Sequence, residues 1–171
     1  MDFRSFVRGE MQFTHNTLEQ VIADLDDETL HHRPAGSTTN AICAIYAHAV
    51  TAEDGILNGM IMGRIPIFDA EWSTKTGVPM KQTPNMDDAW AASIKMNLPA
   101  FREYAAKVYE ATDKILADMD DATGEAIIDT IFGTKQARQE FIATLAPTHM
   151  WGHMGEIAAI KGARGLKGLP F

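Results

Sequence analysis

The stretch "APTHMWGHMGEI", residues 146–157, places two histidines four positions apart in a run with helical periodicity. Side chains at i and i+4 of an α-helix project from one face, so His149 and His153 can meet a single ion. The alternative is a pair of core histidines that share a buried face. Extending the helix both ways predicts one buried stripe, which comprises Ile142, Leu145, His149, His153, Glu156, Ile157 and Ile160.

The N-terminal segment has the same kind of pattern. Its apolar residues recur at intervals of three and four, which predicts one face of an amphipathic helix: Phe3, Phe6, Val7, Met11, Leu18, Val21, Ile22 and Leu25. Pro34 and Gly36 end this helix, and residues 37–39 offer an N-cap for the next one. We expect His31 and His32, in the intervening loop, to be solvent-exposed.

A second helix is predicted over about residues 39–62, and a long loop over residues 63–84 follows it. The loop contains three prolines and shows no sustained period. A loop of this length in a small domain is either functional or disordered. Its apolar residues favour packing on the body of the protein: Ile65, Ile67, Phe68 and Trp72.

A third helix is predicted from Asn85, its N-cap, and Pro99 is expected to kink or divide it. A connector with a short extended piece follows, and the last helix is predicted to begin near Thr134. These segments predict an all-α fold, a four-helix bundle with a long connection between helices 2 and 3. We expect a single domain over residues 1–171.

The predicted second helix carries a third histidine, His48, on a strip of small residues. The other members of this strip are Ala41, Ala44, Ala52, Gly55 and Gly59. Small residues let a neighbouring backbone approach closely or leave open space beside an imidazole. With His149 and His153, His48 therefore forms either a three-histidine metal site or a buried histidine cluster.

The pattern around these histidines excludes two well-known metal motifs. Met150 follows His149, so the glutamate of the His-Glu-x-x-His motif of zinc peptidases is missing. Di-iron bundles need a Glu-x-x-His pair on each of two helices, and here we find only Glu28 with His31. A histidine-only set of ligands suits zinc, nickel, copper or ferrous iron better than magnesium or calcium.

Composition narrows the possible partners and the compartment. The net charge of −8 would repel a phosphate backbone, so we expect no nucleic-acid partner. The single cysteine, Cys43, fits a reducing compartment. The N-terminal residues lack the apolar core of a signal peptide, and no apolar stretch is long enough for a bilayer. We therefore expect a cytoplasmic protein with no membrane partner.

Several blocks of the chain resemble the DinB-like superfamily of small metal-binding proteins. "HMWGHMGEI" (149–157) and the histidine of "AIYAHAVTAEDGIL" (44–57) are similar to that family's three histidine positions. "HNTLEQVIADLDDETLHHRP" (15–34) resembles its opening helix and Arg-Pro turn, and "GEIAAIKGARGLKGLPF" (155–171) resembles its closing segment. The resemblance covers essentially the whole chain, and the three histidines are its specific part.

The resemblance implies a four-helix bundle with a metal bound by His48, His149 and His153, open coordination positions facing a pocket, and a homodimer. Zinc, nickel or iron would be the metal. Some relatives are thiol-dependent transferases or isomerases that use a low-molecular-weight thiol such as mycothiol or bacillithiol, and many have no known activity. We therefore expect a metal-dependent enzyme with a small-molecule substrate. The alternative is a non-catalytic bundle with a structural metal or a small-molecule binding role.

Acidic residues near the histidines are the next candidates. Glu156, one turn beyond His153, either accepts the distal N–H of a ligating imidazole or is a solvated side chain. Glu53 and Asp54 follow His48 by five and six positions, so we expect both to face the surface or a loop.

Three further residues have a structural reading and a functional alternative. His15 is expected to be a satisfied histidine at the core edge, with a fourth ligand or proton donor as the alternative. Trp72 is expected to pack its loop on the body, with a cover over the site as the alternative. Trp151 lies about 200° around the helix from His149, which favours packing or a dimer interface.

Overall fold

The computed structural model describes residues 2–81 and 86–171, and most of the described residues are helical. In chain order the helices are α1 (Phe3–Ile22), α2 (Asp27–His31), α3 (Ile42–Asp54), α4 (Ala70–Thr76), α5 (Asp88–Ser93), α6 (Leu98–Asp118), α7 (Asp121–Glu125) and α8 (Arg138–Ala163). Two short antiparallel strands, β1 (Ile127–Asp129) and β2 (Lys135–Ala137), precede α8. The predicted all-α fold is confirmed.

Four long helices, α1, α3, α6 and α8, form the frame. Helix α1 packs against α6 and α8, and α3 packs against the same two helices. Helices α6 and α8 therefore lie between α1 and α3 and close a four-helix bundle. Its core contains large side chains from all four helices, among them Leu18, Ile22, Ile45, Tyr46, Phe101, Tyr104, Met154 and Ile157.

The face of α1 that packs on the bundle is narrower than the sequence predicts. Val7, Met11 and Leu18 are buried, but Phe3 is 45% exposed and Phe6 is 54% exposed. The prediction that these two phenylalanines share the buried face is wrong. Phe6 is turned by about 100° from Val7 around the helix, and Phe3 lies in the first turn.

The predicted second helix is present over Ile42–Ile61 but changes its winding. Helix α3 continues from Gly55 to Ile61 as a π-helix, in which each backbone hydrogen bond spans five residues instead of four. Its N-cap is Ala41, which makes no side-chain capping bond, so the predicted cap at residues 37–39 is wrong. The hydroxyl of Ser37 instead accepts a hydrogen bond from its near neighbour, the backbone N–H of Thr39.

The junction between the α- and π-helical parts contains a fully buried carboxylate, Asp54. It accepts hydrogen bonds from the backbone N–H groups of Ile67 (3.0 Å) and Phe68 (2.8 Å). Asn58 Nδ2 and the hydroxyl of Tyr104 donate two more, each at 2.9 Å. Asp54 therefore faces the loop but is not at the surface, and it ties the long connection to α3 and α6.

The long connection that follows the π-helical turns is predicted to be loop over residues 63–84, but it contains the short helix α4. As predicted, three of its apolar residues pack on the bundle. Ile67, Phe68 and Trp72 are partly buried against the core. Ile65, by contrast, is 91% exposed, so the prediction for this residue is wrong. Trp72 packs on the core side chain Tyr104, with 5.7 Å between ring centroids.

The predicted third helix is divided in two, as its proline suggested. Helix α6 begins after Asn97, whose side chain accepts a hydrogen bond from the first turn, and Pro99 lies in that turn. Asp87 caps α5 by accepting from the backbone N–H of Trp90. The predicted cap Asn85 lies outside the described residues.

Helix α8 begins at Arg138, after β2, and runs through Pro147 without ending. Its buried stripe differs from the predicted one and comprises Phe141, Ile142, Ala146, Met150, Met154, Ile157, Ile160 and Lys161. The methionines next to the two histidines in sequence occupy the core. His149 and His153 are therefore half-buried at the edge of the stripe, and Glu156 is exposed. None of the described helices has both the length and the apolar character needed to cross a membrane.

Replacement of Asp54 by asparagine is expected to destabilise the fold by about 2 kcal/mol, because the amide NH2 would face backbone N–H donors that need an acceptor. Urea unfolding measures this change. Asp118→Asn is the matched control, since Asp118 makes only a surface pair with Lys114 and is expected to change stability by about 0.5 kcal/mol or less. Equal effects of the two substitutions would contradict the role given to Asp54.

Candidate metal centre

Three histidines from two packed helices meet at one point. His48 lies on α3, and His149 and His153 lie on α8, the helix against which α3 packs. His149 Nε2 is 3.3 Å from His48 Nε2 and 3.1 Å from His153 Nε2. The rings lie at 68–86° to one another, so their nitrogens converge instead of their faces stacking.

These separations fit nitrogens that share one metal ion. Imidazole nitrogens bind zinc at ~2.0–2.1 Å, so two of them at octahedral to tetrahedral angles lie about 2.9–3.4 Å apart. The two measured distances, 3.1 and 3.3 Å, fall in this range. Among the described residues, these three histidines form the only group of three or more potential metal ligands in this close arrangement.

The hydrogen bonds around the cluster leave His149 Nε2 without a matching partner on one of its two sides. Lys81 Nζ lies 2.6 Å from His48 Nδ1; an ammonium only donates, so His48 carries its hydrogen on Nε2. Glu156 lies 2.9 Å from His153 Nδ1, which donates to it and leaves a lone pair on Nε2. His149 Nε2 faces a hydrogen of His48 on one side and a lone pair of His153 on the other. Whether or not His149 Nε2 carries a hydrogen, it therefore mismatches one neighbour. A cation that takes three Nε2 lone pairs would remove this mismatch within the cluster and would place the hydrogen of His48 on Nδ1, next to Lys81.

Burial keeps two of these imidazoles neutral. Desolvation, followed by the nearby Lys81 charge and the neighbouring imidazoles, lowers the pKa of His48 to about 3. Desolvation, with His153 and Lys81 as smaller causes, lowers the pKa of His149 to about 4. Both rings are therefore neutral throughout the physiological range, the protonation state that binds a metal.

A cavity of about 910 Å³ opens beside His48 and His149. The α3 side of this cavity includes Ala52 and Gly55, so open space is the alternative that the structure shows beside this part of the His48 strip. Most of its wall is apolar and comes from the π-helical turns, the long connection, α5 and the turn between β1 and β2. The lining side chains from these parts include Met60, Phe68, Met80, Trp90, Ile131 and Phe132.

Lys81 is a feature of the site that the sequence did not reveal. Its ammonium lies 4.4 Å from the centroid of the Trp90 ring, and burial lowers its pKa to about 8. The Trp90 indole N–H in turn donates to the backbone oxygen of Pro79 at 2.8 Å. Lys81 belongs to a segment without periodicity, and only the fold brings it to His48, so no local signal marks it.

The other predicted candidates lie away from the cluster. His15 Nε2 bonds to the carboxylate of Glu53 at 2.9 and 3.0 Å and stacks on Tyr109. Glu53 is buried and also accepts a hydrogen bond from the hydroxyl of Thr112 on α6, so the prediction that it faces the surface or a loop is wrong. In the structure, this pair links α1 to α3 within the bundle and supplies no ligand to the centre.

The remaining histidines and tryptophans have structural contacts. His31 Nε2 accepts a hydrogen bond from the backbone N–H of Met96 at 3.0 Å, and both His31 and His32 are half-buried, so their predicted full exposure is wrong. Trp72 packs on the bundle and does not line the cavity. Trp151 packs beside Phe13 of α1, with 5.8 Å between ring centroids.

The chain is similar to known proteins in sequence pattern and in fold. The family model of the DinB superfamily matches residues 10–157. Among solved structures, a conserved protein from Enterococcus faecalis superposes with a TM-score of 0.75, covering 94% of this chain and 96% of that one. The two sequences are 15% identical, so this likeness concerns the fold alone. No curated protein has a matching sequence.

We expect the purified protein to bind about one zinc, nickel or ferrous ion per chain, because three neutral imidazoles converge. His48→Ala or His149→Ala is expected to weaken binding on the order of 100-fold or more, and Glu156→Ala roughly 10-fold. Elemental analysis and calorimetric titration of metal-stripped protein measure both effects.

His32→Ala is the matched control for the metal titration, because His32 lies outside the cluster. It is expected to leave stoichiometry and affinity unchanged. Undiminished binding by His149→Ala, or a loss of equal size in His32→Ala, would contradict the assignment of the ligands.

Proposed function

This chain belongs to the DinB superfamily, and on that premise we propose that it is a metal-dependent enzyme with a three-histidine centre. The observation that carries the proposal is the convergence of His48, His149 and His153 beside an apolar cavity. A structural metal site is closed by protein ligands, whereas a catalytic one keeps a position open to a pocket. The cavity that reaches two of the three histidines favours the catalytic reading.

We propose zinc, nickel or iron as the metal, because neutral imidazoles suit these ions. When bound, the metal would act as a Lewis acid and lower the pKa of a coordinated thiol or water. Glu156 accepts the Nδ1 hydrogen of His153, which turns the Nε2 lone pair of that ring toward the centre. The mostly apolar walls of the cavity suit the apolar part of a small-molecule substrate.

The reaction we propose is a thiol-dependent transfer or isomerisation of a small molecule. The support is the resemblance to thiol-using relatives, together with a centre that suits a soft sulfur ligand. In a transfer, the thiolate sulfur forms a bond to an electrophilic carbon of the substrate. The leaving group departs with its bonding electrons, and the thiol proton passes to water.

The sulfur would come from a low-molecular-weight thiol such as mycothiol or bacillithiol, and not from the chain. Cys43 is buried, and desolvation raises the pKa of its thiol to about 11. A thiol with such a pKa is almost wholly protonated at neutral pH and is a poor nucleophile.

The homodimer and the cytoplasmic location stay predictions. A surface suited to a second copy is the outer face of α1, where Phe3, Phe6 and Phe13 are each about half exposed. Exposed apolar side chains on one face are typical of protein interfaces. Trp151 of α8 continues this surface beside Phe13.

The test is thiol binding to the cobalt-substituted protein, because a thiolate ligand gives Co2+ a charge-transfer absorption band. We expect the band to appear when mycothiol, bacillithiol or another cellular thiol is added to wild-type protein. Cys43→Ala is the matched control and is expected to give the same band, which excludes an internal sulfur as its source. His149→Ala is expected to lose it.

A metal-loaded wild-type protein whose spectrum responds to none of these thiols would contradict the thiol-dependent enzyme. Retention of the metal in that experiment would instead favour the alternative, a non-catalytic bundle with a structural metal or a small-molecule binding role.

A further inference from the structure

The cavity beside the centre contains one lysine whose charge has no opposite charge within ion-pair distance among the described residues. Lys81 lines this cavity and lies 2.6 Å from His48 Nδ1. Asp87 is the acidic residue whose charge acts on Lys81. Its carboxylate is already used as the N-cap of α5, where it accepts a hydrogen bond from the backbone N–H of Trp90. A half-buried ammonium in mostly apolar surroundings favours an anionic partner.

Lys75 is a second lysine whose ammonium lies near a tryptophan ring, and it differs from Lys81 in having an acidic partner. Its ammonium lies 4.7 Å from the centroid of Trp72, as that of Lys81 lies 4.4 Å from the centroid of Trp90. Lys75, however, forms a salt bridge with Glu103 at 2.5 Å and lies outside the cavity. Lys81 has the same aromatic contact without the carboxylate.

The other polar side chains that line the cavity already have their partners. Both oxygens of Asp54 accept hydrogen bonds from the chain, as described above. The hydroxyl of Thr51 donates to the backbone oxygen of Ala47 at 2.7 Å. Apart from the imidazoles of the centre, Lys81 is therefore the one strong donor that the described cavity wall offers to a ligand.

Metal binding adds a second donor at the same place. An imidazole that binds through Nε2 keeps its hydrogen on Nδ1. His153 has an acceptor for that hydrogen in Glu156, but His48 Nδ1 faces the ammonium of Lys81. Two donors cannot bond to each other, so in the metal-bound protein the two groups would move apart and both would need an acceptor, which a carboxylate oxygen provides.

We propose that Lys81 binds the carboxylate of an apolar organic acid that lies in this cavity, so that an apolar carboxylic acid is the substrate class. As a statement about the substrate, this rests on the proposed function. The carboxylate accepts hydrogen bonds from Lys81 Nζ, with His48 Nδ1 as a second donor in the metal-bound protein. The apolar part lies against the lining side chains Phe68, Met60 and Phe132.

The experiment compares two probes with the same carbon skeleton, 4-phenylbutyrate and 4-phenylbutanol, by calorimetry and by tryptophan fluorescence, to which the cavity-lining Trp90 contributes. We expect the carboxylate to bind wild-type protein roughly tenfold or more tightly than the alcohol, because a charge-assisted hydrogen bond replaces a neutral one. Lys81→Met is expected to abolish this preference and Lys81→Arg to retain most of it. Lys75→Met, the matched control, is expected to leave it unchanged.

Each titration is done with metal-stripped and zinc-loaded protein, which separates this inference from the proposed function. A Lys81-dependent preference for the carboxylate in a protein that takes up no metal would support the lysine site while the metalloenzyme fails. A carboxylate preference that requires zinc and survives Lys81→Met would overturn the inference, because the metal would then hold the carboxylate. Equal binding of both probes, or no carboxylate binding at millimolar concentration, would overturn it as well.

Discussion

Three imidazole nitrogens within 3.1–3.3 Å of their neighbours cannot all be satisfied by hydrogen bonds to one another. Lys81 fixes the hydrogen of His48 on Nε2, and Glu156 fixes a lone pair on His153 Nε2. His149 Nε2 therefore faces a hydrogen on one side and a lone pair on the other. A protein core normally pairs its buried polar groups. A shared cation would relieve this mismatch among the three Nε2 atoms, which supports the proposed metal site.

The rest of the fold builds the space beside this cluster. Asp54 occupies the point where α3 becomes π-helical, and its four hydrogen bonds hold Ile67 and Phe68 of the long connection against the bundle. The connection in turn supplies cavity wall on the side of His48. One buried carboxylate therefore ties the helix that carries a ligand to the segment that shapes the binding space.

The sequence predicts the four long helices and the shared face of His149 and His153 well, because both depend on local spacing. The assignment of His48 rests on its strip of small residues and on the resemblance to the DinB-like superfamily, and the short helix α4 lies in a segment predicted to be loop. Periodicity identified α8, and a separation of four residues placed His149 and His153 on one side of it. The same periodicity misjudged which side chains fill the core. Met150 and Met154, which lie about 100° around the helix from His149 and His153, are apolar too and take the buried positions. Burial of Glu53, and the approach of Lys81 to His48, depend on partners distant in sequence, which periodicity does not report.

X-ray absorption spectroscopy of the zinc-loaded protein tests the central claim most directly, because it counts the imidazoles on the metal. The account predicts three imidazole nitrogens at ~2.0–2.1 Å, together with at least one water-like oxygen at a position open to the cavity. His48→Ala is expected to remove one imidazole from the spectrum. Fewer than three imidazoles in wild-type protein, or a shell closed entirely by protein ligands, would contradict an open three-histidine centre.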